Sequence, residues 1–404
     1  MTSIIRDNIN LGLREAQNTI SNISNNDNVV IKIIFIFIII IIVTLIFLLQ
    51  NTLTLKRYNC KKLNNIYKDG SLPFNAVSIS NNRNMFNNSR FKDLFTMTAY
   101  NCCNGGGYKN NFVDLCALDK CIKLGVRCLD FQVFSLNNEP IVSSSTIDMN
   151  YVKETYNYLN LHQVFDFIRI NAFKSDITPN NDDPLILHIR VMSDNPLLYS
   201  NLLKIYKNVF SNNSNITPYT KDNITLNENK NRIFEKDILS LKNKIVLIIK
   251  PFNNFNLNNI NMNLRQYINL ESIDSNSNKT KDNNKCILYY DNRTFSVIDR
   301  DTNRRYISIF IPEYGINEYK NNTKFIEAMG HGCCLIGMKI QYYDTDLASY
   351  FSLFKKEGSY SFINKPVNLQ GDKFDKNKEL QKDSTNIRTI ASSTYDMSRE
   401  IENH

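Results

Sequence analysis

Asp130 is the ionisable residue whose sequence setting most favours a chemical role. It lies in residues 124–134, directly after a segment with apolar residues at helical spacing. Gly125 breaks that helix, and Val126, Cys128 and Asp130 then alternate on one face of a predicted strand. A carboxylate at a strand end can be presented to the mouth of a barrel or to the crevice of a sheet. A turn-forming aspartate is the more common role of this pattern.

Two further patterns could carry chemistry, a glycine-rich loop and clustered cysteines. Residues 102–107 end in three glycines but lack the Gly-Lys-Ser/Thr ending of a phosphate-binding loop. We interpret them as a flexible loop at a barrel mouth, with phosphate binding as the alternative. The nine cysteines are odd in number and form no metal-ligand quartet, although two adjacent pairs occur, Cys102–Cys103 and Cys333–Cys334. They are predicted to be reduced, with a metal site as the less favoured alternative.

The elements that must position these groups fit one large α/β domain with appendages. The chain has 404 residues, of which 42% are hydrophobic, and a barrel alone commonly takes about 250 residues. Asn, Ile and Lys are heavily used and Trp is absent, a bias typical of an AT-rich viral or parasite coding sequence. The net charge of +9 would suit nucleic acid, but the sequence has no nucleic-acid-binding motif, so we predict no such partner.

Residues 29–49 are predicted to form a single transmembrane helix. Only Lys32 and Thr44 interrupt the apolar run, and about 20 apolar residues span a bilayer core of about 30 Å. A cleaved signal peptide has a shorter apolar region without so long a polar leader. Basic residues are concentrated on the C-terminal flank, at Lys56, Arg57, Lys61, Lys62 and Lys68. The positive-inside rule therefore predicts a single-pass membrane protein whose C-terminal domain is cytoplasmic, beside anionic lipid headgroups.

The remaining chain divides on composition and pattern. The predicted segments are a polar N-terminal segment (1–28), the transmembrane helix (29–49), a juxtamembrane basic segment (50–91), a first half-barrel (92–210), an Asn-rich linker (211–240), a second half-barrel (241–370) and a polar tail (371–404). Residues 211–236 and 271–285 are rich in Asn, Ser and Lys and are predicted to be solvated linkers.

Six groups of residues follow one another in a recognisable order. Residues 125–130 form a Gly-x-Arg-x-hydrophobic-acid strand, and residues 138–142 contain a Glu-Pro-hydrophobic strand. The later segments are 165–173, 184–190, 241–250, and 332–341 with 344–346 and 358–366. This order resembles the X and Y regions of the phosphoinositide-specific phospholipase C family, over residues 92–366. The resemblance implies an α/β fold, the (β/α)8 TIM-type barrel of the phospholipase C-like phosphodiesterase superfamily.

The resemblance also implies a phosphoric diester hydrolase that uses two histidines. One stabilises the transition state after the first strand, and the other acts as general acid and base after the Glu-Pro strand. Tyr100 stands at the first position, and Ser144 and Ser145 fall at the second. The histidines of this chain lie elsewhere, at His162, His188, His331 and His404, and His188 is predicted to lie on the outward face of its strand. Both catalytic histidines are therefore missing.

The calcium positions implied by the resemblance are changed as well. The family holds its ion with an asparagine and three carboxylates, and calcium prefers about six to eight oxygen ligands. Asn101 and Asp130 keep two of these positions, whereas Gln132 and Arg190 replace two carboxylates, and Lys250 matches a headgroup-binding lysine. We therefore predict no cofactor and no metal site. These five residues remain as candidates for headgroup binding.

These departures predict a membrane-anchored, phospholipase C-like barrel that is a catalytically inactive pseudoenzyme and binds lipid headgroups or an unidentified partner at a membrane. The alternative is an active phosphodiesterase with a metal-independent site built from Tyr100, Asp130, Arg190 and Lys250. The resemblance also places Asp130 and Arg190 at the ends of neighbouring strands, where they should form a salt bridge across the mouth. An Arg190 that points outward into solvent is the other possibility.

Overall fold

Eight parallel strands close into a barrel in the computed structural model of this chain. The structure describes residues 14–15, 27–68, 72–146, 151–211, 216–220, 233–274, 286–291, 299–312, 322 and 325–371. Nearly all of the predicted N-terminal segment 1–28 and of the predicted tail 371–404 lies outside the described residues.

The described elements alternate between strands and helices. The strands are β1 (Leu94–Ala99), β2 (Cys128–Leu136), β3 (Glu139–Ser143), β4 (Leu159–Asn160), β5 (Leu185–Val191), β6 (Thr217–Pro218), β7 (Lys244–Lys250), β8 (Leu270–Asp274), β9 (Cys286–Tyr290), β10 (Ser308–Phe310), β11 (Leu335–Met338) and β12 (Phe362–Asn364). The α-helices are α1 (Asp27–Ile66), α2 (Arg83–Phe86), α3 (Leu115–Lys123), α4 (Leu161–Asn171), α5 (Pro196–Phe210), α6 (Met262–Arg265), α7 (Arg300–Arg305), α8 (Phe325–Gly330) and α9 (Thr345–Lys356).

The barrel consists of β1, β2, β5, β7, β8, β9, β10 and β11, each parallel to the next. It closes because β1 pairs with both β11 and β2. The remaining strands lie beside it: β3 and β4 extend antiparallel from β2, β12 pairs antiparallel with β1, and β6 pairs with β7. The predicted (β/α)8 TIM-type fold is confirmed.

The strand register decides which side chains face the barrel interior. Asp130 of β2 is opposite His188 of β5, and two residues further along Gln132 is opposite Arg190, which is opposite Lys250 of β7. Because side chains alternate along a strand and register partners share a face, these five residues lie on the same face, the interior one. They form two polar layers near the carboxyl ends of the strands, an end that we call the mouth.

The helix before β2 shows how local sequence builds this arrangement. Asp114 caps α3 by accepting from the backbone N–H of Cys116 at 2.9 Å. The chain leaves the helix through Gly125, whose φ is +76° and where a side chain would clash with Ala76 and Asn180. The predicted helix break at Gly125 is confirmed, and its physical reason is a left-handed conformation in a confined space.

Helix α1 runs without interruption through the predicted membrane boundary. Its stretch Val29–Phe47 has a mean hydropathy of 3.5 and no buried residues, so by length and composition it is able to cross a membrane. Past the predicted limit at residue 49 the helix continues to Ile66, and Leu63 and Tyr67 are buried against the barrel. Part of the predicted basic segment is therefore a docking element.

The chain reaches the barrel from the mouth side. Lys56 Nζ lies 2.9 Å from Asp114 Oδ2, in the loop between β1 and α3. Further along the chain, Ala76 lies beside Gly125, which precedes β2 at the opposite end of the barrel. Residues 29–47 precede Lys56 in the same continuous helix.

Docking of α1 on α3 brings two cysteines together. Cys60 and Cys116 form a disulfide, with their Cα atoms 5.9 Å apart. The prediction that the cysteines are reduced is wrong for this pair, because a contact between residues 56 positions apart leaves no local mark in the sequence. The free cysteines among the described side chains are all buried: Cys102, Cys103, Cys121, Cys128, Cys333 and Cys334.

The Asn-rich stretches are less solvated than predicted wherever the structure describes them. Thr217–Pro218 pairs with β7 as strand β6, and Phe234 and Ile238 are buried. Residues 271–274 belong to β8 of the barrel rather than to a linker. The rest of both predicted linkers lies outside the described residues. The prediction failed because Asn-rich composition conceals a few well-spaced apolar residues that reach the core.

Candidate functional site

Asp130 lies at the centre of a buried hydrogen-bond network. Its Oδ1 accepts from Arg190 Nε at 2.9 Å and lies 2.7 Å from His188 Nδ1. Its Oδ2 accepts from Arg190 Nη2 at 2.7 Å and from the backbone N–H of Asn101 at 3.1 Å. Burial by itself raises the pKa of this carboxyl, but Arg190 and His188 more than offset burial and hold the pKa at about 2. Asp130 is therefore ionised at neutral pH.

Arg190 is the fully buried partner of this carboxylate. Its two contacts with Asp130 form a bidentate fork, the strongest geometry for a charge-assisted hydrogen bond. Its Nη2 also donates to Asn101 Oδ1 at 2.8 Å, and its guanidinium lies 4.9 Å from the centre of the Tyr100 ring. The predicted Asp130–Arg190 salt bridge is confirmed, and the solvent-facing alternative is wrong.

His188 belongs to the same network, so the predicted outward orientation is wrong. Its ring is fully buried and stacks against Tyr289, with the ring centres 6.2 Å apart. Burial lowers its pKa despite the neighbouring Asp130 carboxylate, so the ring is neutral at pH 7 and its Nδ1–H donates to Asp130. Strand alternation carried the missing signal, because His188 lies two residues before Arg190 and must share its face.

Gln132 and the two serines complete the wall beside Asn101. Gln132 Oε1 accepts from Asn101 Nδ2 at 3.3 Å and from the backbone N–H of Ser145 at 2.9 Å. The hydroxyl of Ser144 donates to a loop carbonyl at 3.2 Å, and that of Ser145 donates to Glu154 Oε2 at 3.0 Å. At the position of the second missing histidine, both hydroxyls therefore stabilise loops at the mouth.

Two lysines add positive charge near this network. Lys250 Nζ lies 3.3 Å from Asp274 Oδ1 and 4.1 Å from the centre of the Tyr289 ring. Lys339 is also buried, with its Nζ 5.6 Å from the centre of the Tyr108 ring. Lys339 was not among the predicted site residues, although it follows the interior positions of β11 at a period of two.

The residues at the mouth do not fit a calcium ion. The implied protein oxygens are those of Asp130 and Asn101, and Arg190 Nη2 bridges the two side chains by donating to both. Calcium prefers about six to eight oxygen ligands with several negative charges, whereas this site combines one carboxylate with a guanidinium. Among the residues that the structure describes, the one group of three potential metal ligands is Cys60, Asp114 and Cys116, outside this network.

Comparison with solved structures identifies the architecture around this network. The crystal structure of L. pealei PLC21 matches with a TM-score of 0.54 and 13% sequence identity, covering 73% of this chain and 39% of that chain. The crystal structure of S. officinalis PLC21 matches with a TM-score of 0.55 and 14% identity, covering 70% of this chain and 38% of that chain. The fold is that of a phospholipase C barrel.

At this level of identity the similarity concerns the fold of the phospholipase C barrel. The chain spans 39% and 38% of the length of the two matched structures. No protein-family model matches the sequence, and no curated protein matches it. Within this barrel, the structure brings Tyr100, Asn101, Asp130, Gln132 and Arg190 into one buried cluster. Its other predicted site residues lie at the edge of that cluster: Ser144, Ser145 and Lys250.

Proposed function

We propose that this chain is a membrane-anchored, catalytically inactive phospholipase C-like barrel that acts as an interaction module at a membrane. One observation carries the proposal. The Arg190 fork engages both oxygens of Asp130 and also the side-chain oxygen of Asn101. The groups that would bind and activate a phosphodiester are thus held in an internal ion pair, which supports a structural role for them.

The proposed lipid contact lies on the flank of α1 rather than inside the mouth. Asn101, Asp130, Gln132 and Arg190 are at most 2% exposed, so a headgroup would have to displace their internal partners. Arg57 and Lys61, by contrast, lie exposed on α1, about three and four helical turns beyond the apolar stretch. Basic residues at an anionic membrane surface contribute about 1 kcal/mol each to binding.

A hydrolysis assay tests the catalytic part of the proposal. The full-length chain in lipid nanodiscs is incubated with a phosphoinositide and with a water-soluble glycerophosphodiester, each with and without calcium. We expect no product above the background of empty nanodiscs. The matched control is Asp130→Asn, which should give the same background. Hydrolysis that the wild-type chain catalyses and this variant loses would overturn the proposal.

Membrane anchoring has its own test. After carbonate washing of membranes, the full-length chain should stay in the pellet, because an apolar stretch of 19 residues inserts too stably to be extracted. A variant in which Ile36, Ile39 and Ile42 are replaced by lysine should move to the supernatant. A wild-type chain that washes off would show that α1 does not span the bilayer.

The side of the membrane is open to a direct experiment. The basic flank favours a cytoplasmic barrel, whereas the Cys60–Cys116 disulfide is typical of oxidising compartments. We retain the cytoplasmic orientation as the proposal. In sealed right-side-out vesicles the barrel should then be protected from added protease, and digestion of the barrel from outside would reverse the orientation.

A second candidate function is a metal-independent phosphodiesterase. The observation in its favour is the Asp130–His188 pair, because a carboxylate that accepts from Nδ1–H orients a neutral imidazole for general-base catalysis. His188 Nε2 has no hydrogen-bond partner within the described part of the chain. His188 lies one layer deeper than Arg190, however, so substrate could reach it only if the ion pair opened. This candidate requires that any measured hydrolysis disappear in His188→Gln.

A further inference from the structure

The disulfide between Cys60 and Cys116 lies where the apolar helix meets the barrel. Cys60 is on α1, and Cys116 is in the first turn of α3. Two polar contacts surround it: Lys56 Nζ lies 2.9 Å from Asp114 Oδ2, and Asn59 Nδ2 donates to Asn111 Oδ1 at 2.6 Å. The disulfide is thus the covalent part of the joint between α1 and the rim of the mouth.

This pair differs from the other described cysteines in its access to solvent. Cys60 and Cys116 are half-buried, whereas the six free cysteines are buried. Burial raises the pKa of Cys102 and of Cys103 and raises that of Cys333 to about 12, which disfavours their reactive thiolate forms. Among the cysteine side chains that the structure describes, thiol–disulfide exchange is therefore confined to the Cys60–Cys116 pair.

The joint has a firm part and a weak part. On the C-terminal side of Cys60, Leu63 and Tyr67 are buried, and the Tyr67 hydroxyl donates to the Ile340 carbonyl at 2.6 Å. On the N-terminal side, the partly exposed ion pair between Lys56 and Asp114 contributes little to stability, and buried Asn59 adds one hydrogen bond, to Asn111. The apolar stretch beyond Lys56 is not buried in the protein at all. The disulfide therefore lies at the boundary between docked and undocked helix.

From this placement we infer that Cys60–Cys116 is a redox-reversible latch that fastens the upper docked turns of α1 to the barrel. A thiolate from a small thiol or a thiol–disulfide oxidoreductase attacks one sulfur and expels the other as a thiolate, giving a mixed disulfide. A second thiol resolves this intermediate. The protein disulfide gains two electrons and two protons and becomes a dithiol, while two thiols become one external disulfide.

Opening the latch changes how the barrel is held. With the disulfide reduced, residues 54–60 can leave α3, while Leu63 and Tyr67 keep the rest of α1 docked. The barrel is then free to pivot about residues 61–63 relative to the apolar helix. If α1 spans a membrane, as the proposed function holds, the latch sets the orientation of the mouth towards that membrane. The latch itself requires neither the membrane nor any catalytic activity.

Differential thiol labelling tests whether the latch exists. Full-length chain is isolated without reductant, its free thiols are blocked with one maleimide, and a maleimide of different mass is added after dithiothreitol treatment of the folded protein. We expect the second label on Cys60 and Cys116 only. If both take the first label, the chain has no disulfide and the inference fails. Stoichiometric zinc in that chain, lost in Cys60→Ser, would instead identify a metal site with Asp114.

Hydrogen exchange then tests whether the disulfide acts as a latch. Reduction should cause a loss of amide protection in residues 54–60 and leave residues 63–67 and strands β1 and β2 unchanged. Cys60→Ser and, separately, Cys116→Ser should show the reduced pattern without reductant. Unchanged protection of the strands in each variant would verify that it folds.

The matched control for exchange is Cys121→Ala, which removes a buried free thiol from the same helix. It should keep the oxidised pattern and still respond to dithiothreitol. Exchange in residues 54–60 that is identical in both redox states would overturn the latch, even if the disulfide is present. Neither measurement depends on hydrolysis or membrane extraction, so a failure here is separate from a failure of the proposed function.

Discussion

Two fully buried arginines lie at opposite ends of the barrel and are satisfied in different ways. At the amino end of β2, Arg127 donates to the backbone carbonyls of Ala172 and Asn180, and also to the Asn180 side chain. At the mouth, Arg190 donates to a carboxylate and a side-chain amide. The first arginine fastens loops together, whereas the second neutralises a charge.

The difference also shows in the ionisation of the surrounding groups. Burial lowers the pKa of Arg127 to about 10, against the opposing effect of Asp183 and Asp182. Burial likewise raises the pKa of Asp183 to about 6. Asp130 has the opposite shift, to about 2, because Arg190 contacts it directly. The amino end of such barrels commonly serves stability and the mouth serves chemistry. Here the mouth also has a fully buried ion pair.

The largest loss of stability should come from breaking the Asp130–Arg190 ion pair at the mouth. Arg190→Met leaves Asp130 as an uncompensated buried charge, which should lower the free energy of unfolding by about 3–5 kcal/mol. Urea denaturation of the full-length chain in detergent, followed by tyrosine fluorescence, measures this change. The control is the double variant Asp130→Leu/Arg190→Met, which removes both charges and should recover most of the loss. A cost below about 1 kcal/mol for Arg190→Met would contradict a buried ion pair.

Removing the hydrogen bonds of Arg127 at the amino end of the barrel should lower the free energy of unfolding by a smaller amount. Arg127→Met leaves the carbonyls of Ala172 and Asn180 without their donor, and unsatisfied buried groups cost about 1–3 kcal/mol. We expect a loss of about 3 kcal/mol in the same denaturation experiment. Arg127→Lys keeps the charge with fewer donors and should lose less. If Arg127→Met cost more than Arg190→Met, the proposed ranking of the two ends would be wrong.

As the pH falls, the chain should lose the stabilising contribution of His188 first and that of Asp130 second. His188 has a pKa below 6.5 in the folded chain, so stability is lost as pH falls below 6.5 and the unfolded state takes up the proton. Asp130 has a folded pKa of about 2 against 3.8, so its contribution of about 2 kcal/mol is lost between pH 3.8 and pH 2.

The His188 step can be isolated by comparing wild type with His188→Gln across pH. Asp183 acts in the opposite sense near pH 6, because its pKa is raised, but its contribution cancels in this difference. We expect the advantage of wild type over the variant to shrink as pH falls from 7 to 5. A difference independent of pH would mean that His188 is not buried in its neutral form.

The sequence located the mouth better than the joint with α1. The resemblance placed Asp130 and Arg190 on neighbouring strands, and parallel register then brought them together. His188 was misplaced because β5 is buried on both faces, so polarity does not indicate which face is interior. Only its spacing of two from Arg190 does so. The disulfide could not be predicted, since nine cysteines allow many pairings and Cys60 lies in residues 50–91, which composition identifies only as a basic segment.

Calcium should have the smallest effect, namely none on the wild-type chain. Both Asp130 oxygens and the Asn101 side-chain oxygen already accept from Arg190, so an ion would have to displace a buried guanidinium. Arg190→Glu removes that competitor and adds a carboxylate opposite Asp130. Calcium at about a hundredfold excess over its dissociation constant would then stabilise the variant by about 2.7 kcal/mol. Thermal unfolding of both chains in calcium, magnesium and chelator separates these cases. A rise in the wild-type melting temperature specific to calcium would mean that Arg190 does not replace the ion, and the mouth would then have to be reinterpreted as a metal site.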